Sequence, residues 1–133
     1  MTRVNSFGLV LTLTACSLLP SCSKQMPVLS LDSIPNGIVV KGVTPLSGWA
    51  AQNSGIRSVT LYVDAKRAVE ATIHLNRPDV IKAYPQFRSG AISGWQARLD
   101  AASLPVGLHY LTVQARANDG TYTQQTIDMI VSR

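Results

Sequence analysis

The stretch from Ile56 to Val63 constrains the fold of this chain most strongly. Its apolar residues alternate through Val59, Leu61 and Val63, and most residues between them are polar or amphipathic. A period of two predicts a β-strand that buries one face in a core. A turn-like break follows at Asp64, so the next apolar run is expected to return as another strand.

Short apolar runs separated by turn residues continue to the end of the chain. They predict strands at 28–31, 38–43 with a continuation at 46–50, 67–74, 93–100, 108–117 and 121–132. Between Arg77 and Pro85 the alternation breaks, and Pro78 at the start with Pro85 at the end predicts a short helical turn near 78–84. The fold class is therefore all-β: a single Ig-like antiparallel β-sandwich of about seven strands, spanning 28–133.

The first fifteen residues have the layout of a secretory signal. A short polar segment with Arg3 precedes an apolar run from Phe7 to Ala15. That run is too short for a permanent membrane-spanning helix, which needs about 20 apolar residues. Two cysteines follow, Cys16 and Cys22, and a bridge between them would be a poor staple. The rest of the chain has no cysteine, so the domain is expected to fold without disulfides.

The segment Leu13-Thr-Ala-Cys16 resembles the lipobox of bacterial lipoproteins. In that family the chain is cut before the cysteine, which becomes the lipid-bearing N-terminus. The resemblance implies a signal peptide at 1–15, lipidation of Cys16 and a lipidated tether at 16–27. Lipidation of Cys22 is the alternative, although Pro20 fits the pattern less well, and an ordinary secretory signal with incidental cysteines is a third interpretation. The implied location is the bacterial cell envelope, and Ser17 is compatible with outer-membrane sorting.

The charge of the chain is mildly basic. After cleavage before Cys16, eleven basic and seven acidic residues would remain, and the basic residues are spread along the chain. Because no basic block is present, the pattern does not favour nucleic acid as a partner.

Several short motifs resemble one group of bacterial Ig-like domains, which occur as accessory modules on secreted cell-wall hydrolases and surface proteins. The motifs are Gly48-Trp-Ala50, Ser54-Gly-Ile56, Arg77-Pro-Asp-Val80, Ala83-Tyr-Pro85, Ser93-Gly-Trp95 and Leu104-x-x-Gly-x-His109. The chain departs from the family at Ala65, where Gly is usual, and at Trp95, where Phe or Tyr is usual. The resemblance implies the fold, whereas the accessory role does not transfer simply to a module with no catalytic domain attached.

The pattern of polar residues does not predict a catalytic, cofactor or metal site, and we expect a protein that is not an enzyme. Two histidines on different strands, without a cysteine in the domain, are too few ligands for a metal. His109 begins a core-facing strand and is interpreted as a buried, hydrogen-bonded structural residue. Arg77 and Asp79 are interpreted as a loop staple, in which Arg77 pairs across to a strand end and Asp79 caps backbone N–H groups.

Four residues are weak candidates for ligand binding: Trp49, Tyr62, Tyr110 and Arg77. Exposed tryptophans would suit stacking on a sugar, but Trp95 alternates with other apolar residues and is expected in the core. The tyrosines fall on outward strand faces, where a row of Tyr, Thr and Arg would suit a binding surface.

Two functional hypotheses follow from the sequence. The first is a membrane-anchored, non-catalytic binding or adaptor module that contacts an envelope protein or glycan. The second is a structural or assembly accessory of a secretion or surface machine, acting through an open sheet edge. An aromatic patch with Trp49 exposed would favour a glycan, a long unprotected edge strand would favour protein pairing, and a cleft joining a histidine to carboxylates would be needed for an enzyme.

Overall fold

The computed structural model describes residues 25–32, 34–87 and 90–133. The predicted signal peptide at 1–15, the two cysteines Cys16 and Cys22, and most of the predicted tether lie outside the described residues. The described strands are β1 (Val28–Leu31), β2 (Ile38–Val40), β3 (Val43–Ala51), β4 (Ile56–Val63), β5 (Lys66–Glu70), β6 (Thr72–Leu75), β7 (Gly94–Asp100), β8 (Gly107–Ala117) and β9 (Tyr122–Val131). A short helix, α1 (Pro78–Ala83), lies between β6 and β7.

The strands form two stacked sheets, so the predicted all-β Ig-like sandwich with one short helix is confirmed. The first sheet has the order β1-β3-β7-β6, and the second has the order β2-β9-β8-β4-β5. In the described part every neighbouring pair is antiparallel except β2 and β9, which run parallel. None of the described helices is long and apolar enough to cross a membrane.

The strand that dominates the sequence, β4, has the predicted bounds and the predicted inward face. Val59 and Leu61 are completely buried, and they lie opposite Ala115 and Val113 of β8. The facing sheet contributes Trp95, which is 1% exposed. The alternation therefore predicted both the strand and the side that faces the core, and Trp95 lies in that core as expected.

The predicted single strand at 67–74 is wrong, because the chain changes sheets there. β5 pairs with β4 in one sheet, and β6 pairs with β7 in the other. Ala71 lies between them, buried, with its amide donating to the carbonyl of Val59 at 2.8 Å. A small side chain fits at this crossing, and a left-handed bulge at His74, with φ of 63°, follows in β6.

The predicted strand at 38–43 is also divided. β2 ends at Val40, Gly42 adopts a φ of 61° that favours glycine, and β3 starts anew at Val43 in the other sheet. β3 then runs through Pro45, paired with Arg98 on one side and beyond the end of β1 on the other. The proline is tolerated because that side of β3 is an uncovered edge within the described residues. These two divisions account for nine strands where about seven were expected.

The helical turn covers the outer face of the first sheet. α1 has Pro78 at its start and places Val80 in a small buried cluster with Trp49, Ala51 and Phe87. The helix predicted near 78–84 is thus confirmed, and it shields an aromatic residue that would otherwise face solvent.

A polar seam joins the two sheets beside β1. The hydroxyl of Thr123 donates to the carbonyl of Pro27 at 2.6 Å, and the amide of Gln125 donates to the carbonyl of Leu29 at 2.7 Å. These carbonyls lie on the side of β1 that faces away from β3, so side chains of β9 satisfy that edge.

Candidate binding cleft

A large cavity opens at one pole of the sandwich. It has a volume of about 590 Å³ and lies between the β4–β5 turn and the chain that connects β7 to β8. The turn is tight: Asp64 and Ala65 have φ of 52° and 68°, which an aspartate tolerates and an alanine does not favour. The opposite wall is a 3-10 turn at Ala101–Ser103, followed by Leu104 and Pro105.

A buried histidine closes this pole. His109 is 8% exposed, its Nδ1 lies 2.6 Å from the Oδ2 of Asp64, and its Nε2 lies 2.7 Å from the carbonyl oxygen of Pro105. Both partners accept hydrogen bonds, so both ring nitrogens are satisfied only when the ring is protonated and donates twice. The structural role predicted for His109 is confirmed. We call His109, Asp64 and Pro105 the clasp.

The clasp shifts the ionisation of both of its side chains. The hydrogen bond to Asp64, with a smaller contribution from Pro105, raises the pKa of His109 above its ordinary value. The hydrogen bond from His109 and that from the Tyr110 amide, at 2.9 Å, lower the pKa of Asp64. When His109 is protonated, the pair joins an imidazolium to a carboxylate and ties the turn to the loop before β8.

Positive charge predominates around the cleft. Lys66, Arg67 and Arg98 line it together with the protonated His109, against the carboxylates of Asp64 and Asp100. Arg67 pairs with Glu70, but within the described residues the structure gives no ion pair for Lys66 or Arg98. The floor is apolar. The cleft is thus suited to a ligand with an anionic group and an apolar part.

The same cleft holds residue types that enzymes use for catalysis, but their polar atoms already form hydrogen bonds within the domain. Ser103 donates its hydroxyl to the carbonyl of Asp100 at 2.8 Å, and Asp100 caps the following turn through the amide of Ala102 at 3.0 Å. His109 has no nitrogen free to act as a base. A nucleophile and a general base within reach of each other, which hydrolysis requires, are therefore not assembled here.

A second ionic cluster lies on the first sheet. The guanidinium of Arg77 donates to Asp79 at 2.9 and 2.8 Å, to Asp32 at 2.7 Å and to the carbonyl of Gly48 at 3.2 Å. These bonds raise the pKa of Arg77, with Asp79 contributing most, and lower the pKa of Asp79. The pairing predicted for Arg77 is present. We call Arg77, Asp79 and Asp32 the staple.

Within the described residues, four of the five guanidinium N–H donors of Arg77 are engaged, and one N–H of Nη2 is left over. A role for Arg77 in binding stays a prediction. The carboxylate of Asp79 pairs face to face with the guanidinium, and the backbone N–H groups of Asp79 and Val80 also help to lower its pKa, in keeping with the predicted capping role.

Trp49 is not an exposed platform. Its side chain is 7% exposed, it packs with Val80 and Phe87, and its ring centroid lies 5.2 Å from that of Tyr84. A sugar cannot stack on a covered ring, so the glycan-platform interpretation of Trp49 is corrected: α1 occupies that face.

Tyr62 and Tyr110 lie on the outer face of the second sheet, as predicted. Tyr110 is 51% exposed, and Tyr62 is half-buried and pairs across to Thr112. The structure does not bring them into the cleft. A role for either in binding stays a prediction.

Sequence reasoning missed Lys66, Arg98 and the pairing of His109 with Asp64. The sequence placed Asp64 directly after one strand and His109 near the start of another, but only the structure shows that β4 and β8 are antiparallel neighbours. The cations gave no signal, because single basic residues at strand ends also occur on surfaces without a function.

Solved structures with similar folds include parts of several bacterial proteins. The endo-β-1,4-mannanase from Thermotoga petrophila matches with a TM-score of 0.60 and 14% identity, over 86% of this chain and 21% of that chain. Fibronectin(III)-like modules of CbhA from Clostridium thermocellum match with 0.53 and 16%, over 80% and 47%. Dimeric latent PorU from Porphyromonas gingivalis matches with 0.53 and 14%, over 81% and 10%.

These similarities concern the fold. This chain spans less than half of the length of each of those three chains. No family model matches the sequence, and the search of curated proteins gives no match. The chain has the fold of an Ig-like or fibronectin III-like module, and its function has to be argued from its own residues.

Proposed function

We propose that this domain is a non-catalytic binding module that holds an anionic group of an envelope protein or glycan in the cleft beside the clasp. One observation carries the proposal: the cleft combines Lys66 and Arg98, neither of which forms an ion pair within the described residues, with a histidine whose two nitrogens are both engaged. Such a site can attract and hold a carboxylate or phosphate, whereas it lacks a free base for chemistry on it.

The position of the cleft, far from the N-terminal end of the described chain, supports an adaptor role. The described part begins at Gln25, whose carbonyl accepts from the amide of Gln52 at 3.0 Å beside the β8–β9 turn. β4 starts near this pole at Ile56 and ends at the cleft, and an eight-residue strand extends about 26 Å. The cleft therefore lies at the pole opposite the point where the tether enters.

We also propose that the tether carries a lipid on Cys16, with Cys22 as the alternative. An anchored domain with this geometry would present the cleft away from the membrane, toward the partner. The short tether would hold the domain close to the membrane surface.

Binding can be tested by titrating the ¹⁵N-labelled full chain with polyglutamate, polygalacturonate and neutral dextran while recording amide chemical shifts. Polyanion binding should shift the amides of the β4–β5 turn and of residues 101–106, and dextran should shift none of them. Replacing Lys66 and Arg98 together by Ala should weaken binding by about tenfold, the order of one or two lost ionic contacts.

The matched control removes two exposed cations elsewhere, Arg57→Ala with Lys82→Ala, and keeps the same net charge as the cleft variant. An equal loss of affinity in both double variants would show general charge attraction and overturn the cleft as the site. A preference for polyglutamate would point to a protein ligand, and a preference for polygalacturonate to a glycan.

The anchor is tested by the intact mass of the protein extracted from host membranes. A diacylated or triacylated N-terminal cysteine that is abolished by Cys16→Ala and kept in Cys22→Ala supports the assignment. An unmodified chain in the soluble fraction would refute the anchor without affecting the cleft.

A further inference from the structure

The edge of the first sheet is open beside the cleft. β7 runs to Asp100, but its pairing with β6 ends at Gln96, which lies opposite Thr72. The residues that precede Thr72 belong to the other sheet, where Glu70 pairs with Thr60 of β4. Among the residues that the structure describes, no strand therefore pairs with this side of β7 beyond Gln96.

Arg98 directs its backbone N–H and C=O toward this open side. On the opposite side, the carbonyl of Ser93 accepts from the amide of Ala50 in β3 at 2.9 Å. The amide of Ala101 likewise donates to the carbonyl of Gly42, just before β3, at 2.8 Å. The odd-numbered residues between Ser93 and Ala101 therefore face β3, because successive residues of an antiparallel strand direct their backbone groups to opposite sides. Arg98 lies between them and faces the open edge.

A second cavity lies along the same edge. It has a volume of about 450 Å³, it is lined by residues of β5, β6 and β7, and it shares Val69 and Arg98 with the cleft. The cleft extends beside Leu99 and the second cavity beside Ala97, and both of these side chains face the core. There is thus space for side chains of a ligand on both sides of Arg98.

The charge that is left for a ligand at this edge is positive. Arg98 and Lys66 line the cleft, and neither forms an ion pair within the described residues. The carboxylates nearby already have partners. Glu70 forms a salt bridge within β5, Asp64 belongs to the clasp, and Asp100 caps the 3-10 turn that follows it.

We infer that the ligand of the cleft is an acidic peptide segment that pairs with the edge of β7 as an added strand, an inference that rests on the function proposed above. In line with β6, the segment runs antiparallel to β7. Its residue opposite Arg98 exchanges two backbone hydrogen bonds with Arg98. A sugar ring offers no N–H and C=O in this arrangement, so the edge favours a peptide over a glycan.

The cavities and the charge also predict the sequence of the segment. The register of Thr72 with Gln96 would bring Glu70 opposite Arg98 if β6 continued, and an acidic residue of the ligand takes that position. Its carboxylate lies on the same face of the sheet as the guanidinium of Arg98. The two neighbouring residues of the ligand point to the other face, where they enter the two cavities, so they are apolar.

The pairing is tested by titrating the ¹⁵N-labelled full chain with the synthetic peptide acetyl-Thr-Val-Glu-Val-Thr-amide. In one modified peptide the nitrogen of Glu carries a methyl group, which removes the N–H that donates to the carbonyl of Arg98. In the matched control the methyl group is on the nitrogen of the following Val, whose N–H points away from β7. Methylation at Glu should weaken binding by about tenfold, and methylation at Val by less than about twofold.

Two further measurements concern Arg98 itself. Binding should slow hydrogen exchange at the amide of Arg98, which gains a partner, and leave the amide of Leu99 unchanged because it already faces β3. Arg98→Glu should make the chain prefer a peptide with Lys in place of Glu. Arg57→Glu is the control, since it makes the same change of charge at an exposed position of β4 and should not alter the preference.

The outcomes separate this inference from the proposed function. Equal binding of the two methylated peptides, or an Arg98 amide whose exchange does not change, would overturn the strand pairing. Binding of polygalacturonate without binding of the peptide would also overturn it, and would leave the cleft as a site for a glycan. Loss of binding to every polyanion would refute the proposed function and this inference together.

Discussion

The staple and the clasp are both ion pairs that tie a connection onto the sandwich, but their cations differ. In the staple, Arg77 binds two carboxylates and a carbonyl, and its guanidinium keeps its charge at any pH that the protein meets. In the clasp, His109 binds one carboxylate and one carbonyl, and it can be neutralised. The staple holds α1 and the end of β1, whereas the clasp borders the cleft.

Because of this difference, the contacts of the clasp can change when its cation loses a proton, whereas those of the staple cannot. Losing the proton of His109 would leave two acceptors competing for one N–H, so either the β4–β5 turn or the loop at Pro105 would be released. No such change is open to Arg77. The stability of the cleft wall therefore depends on pH through the proton of His109, whereas that of the helix side depends on pH only through the carboxylates of the staple.

The largest effect is expected from breaking the staple. Arg77→Met should reduce the free energy of unfolding by about 1–2 kcal/mol, since two carboxylates lose their cation at a partly screened site. The measurement is urea denaturation near neutral pH. The control Arg67→Met removes an exposed pair with Glu70 and should cost less than about 0.5 kcal/mol. Equal losses would show that the staple is no stronger than a surface pair.

A smaller effect, of a few degrees in Tm, is expected from the pH dependence of the clasp. Because the pKa of His109 is raised above 6.5, its contribution is fully present below that pH and is lost as the pH rises through the higher value of the folded state. The pKa of Asp64 is lowered from 3.8, so the contribution of its carboxylate is present above that pH and is lost as the pH falls through the lower value.

Thermal unfolding of the natural chain and of His109→Gln at about pH 5.5 and about pH 9 measures the clasp. At the lower pH the natural chain should be more stable than His109→Gln. This difference in stability should shrink at the higher pH. His74→Gln is the control for the general effect of losing an imidazole, since it removes the other histidine of the chain. A constant difference for His109→Gln would mean that the clasp does not depend on the proton.

The smallest effect concerns the strained turn beside the clasp. Ala65→Gly should raise the free energy of unfolding by about 0.5 kcal/mol, because glycine adopts a positive φ without the steric cost that alanine bears. Ala68→Gly, in exposed β5 with an extended backbone, should lower it by a similar amount. Urea denaturation of both variants checks this, and a stabilising effect at both positions would remove the strain argument.

Much of the fold could be predicted from local patterns, and the failures have one cause. The bounds and the buried face of β4 were predicted, because Val59, Leu61 and Val63 alternate along the strand and all three face one core. The chain at Ala71 was predicted to continue as one strand, because alternation reports which residues are apolar and does not report which sheet receives them. The change of sheet depends on the distance between two layers, which a single sequence does not contain.

The site was less predictable than the fold. The buried role of His109 followed from its place on a core-facing strand, and the pairing of Arg77 followed from the composition of its loop. The cleft cations did not follow, since Lys66 and Arg98 lie far apart in sequence and meet only through the stacking of β5 against β7. The exposure of Trp49 depended on α1, whose existence was predicted but whose docking face was not.

The entry of the chain through β1 has a mechanical consequence. In an anchored molecule whose ligand is gripped at the cleft, tension would act on residue 25 along the axis of β1, toward the membrane. The ladder between β1 and β3 and the side-chain bonds from Thr123 and Gln125 all cross that axis, so they would be loaded in shear and together. A strand loaded in this direction resists a pull better than one peeled bond by bond, so in that arrangement the domain would bear force between its two poles.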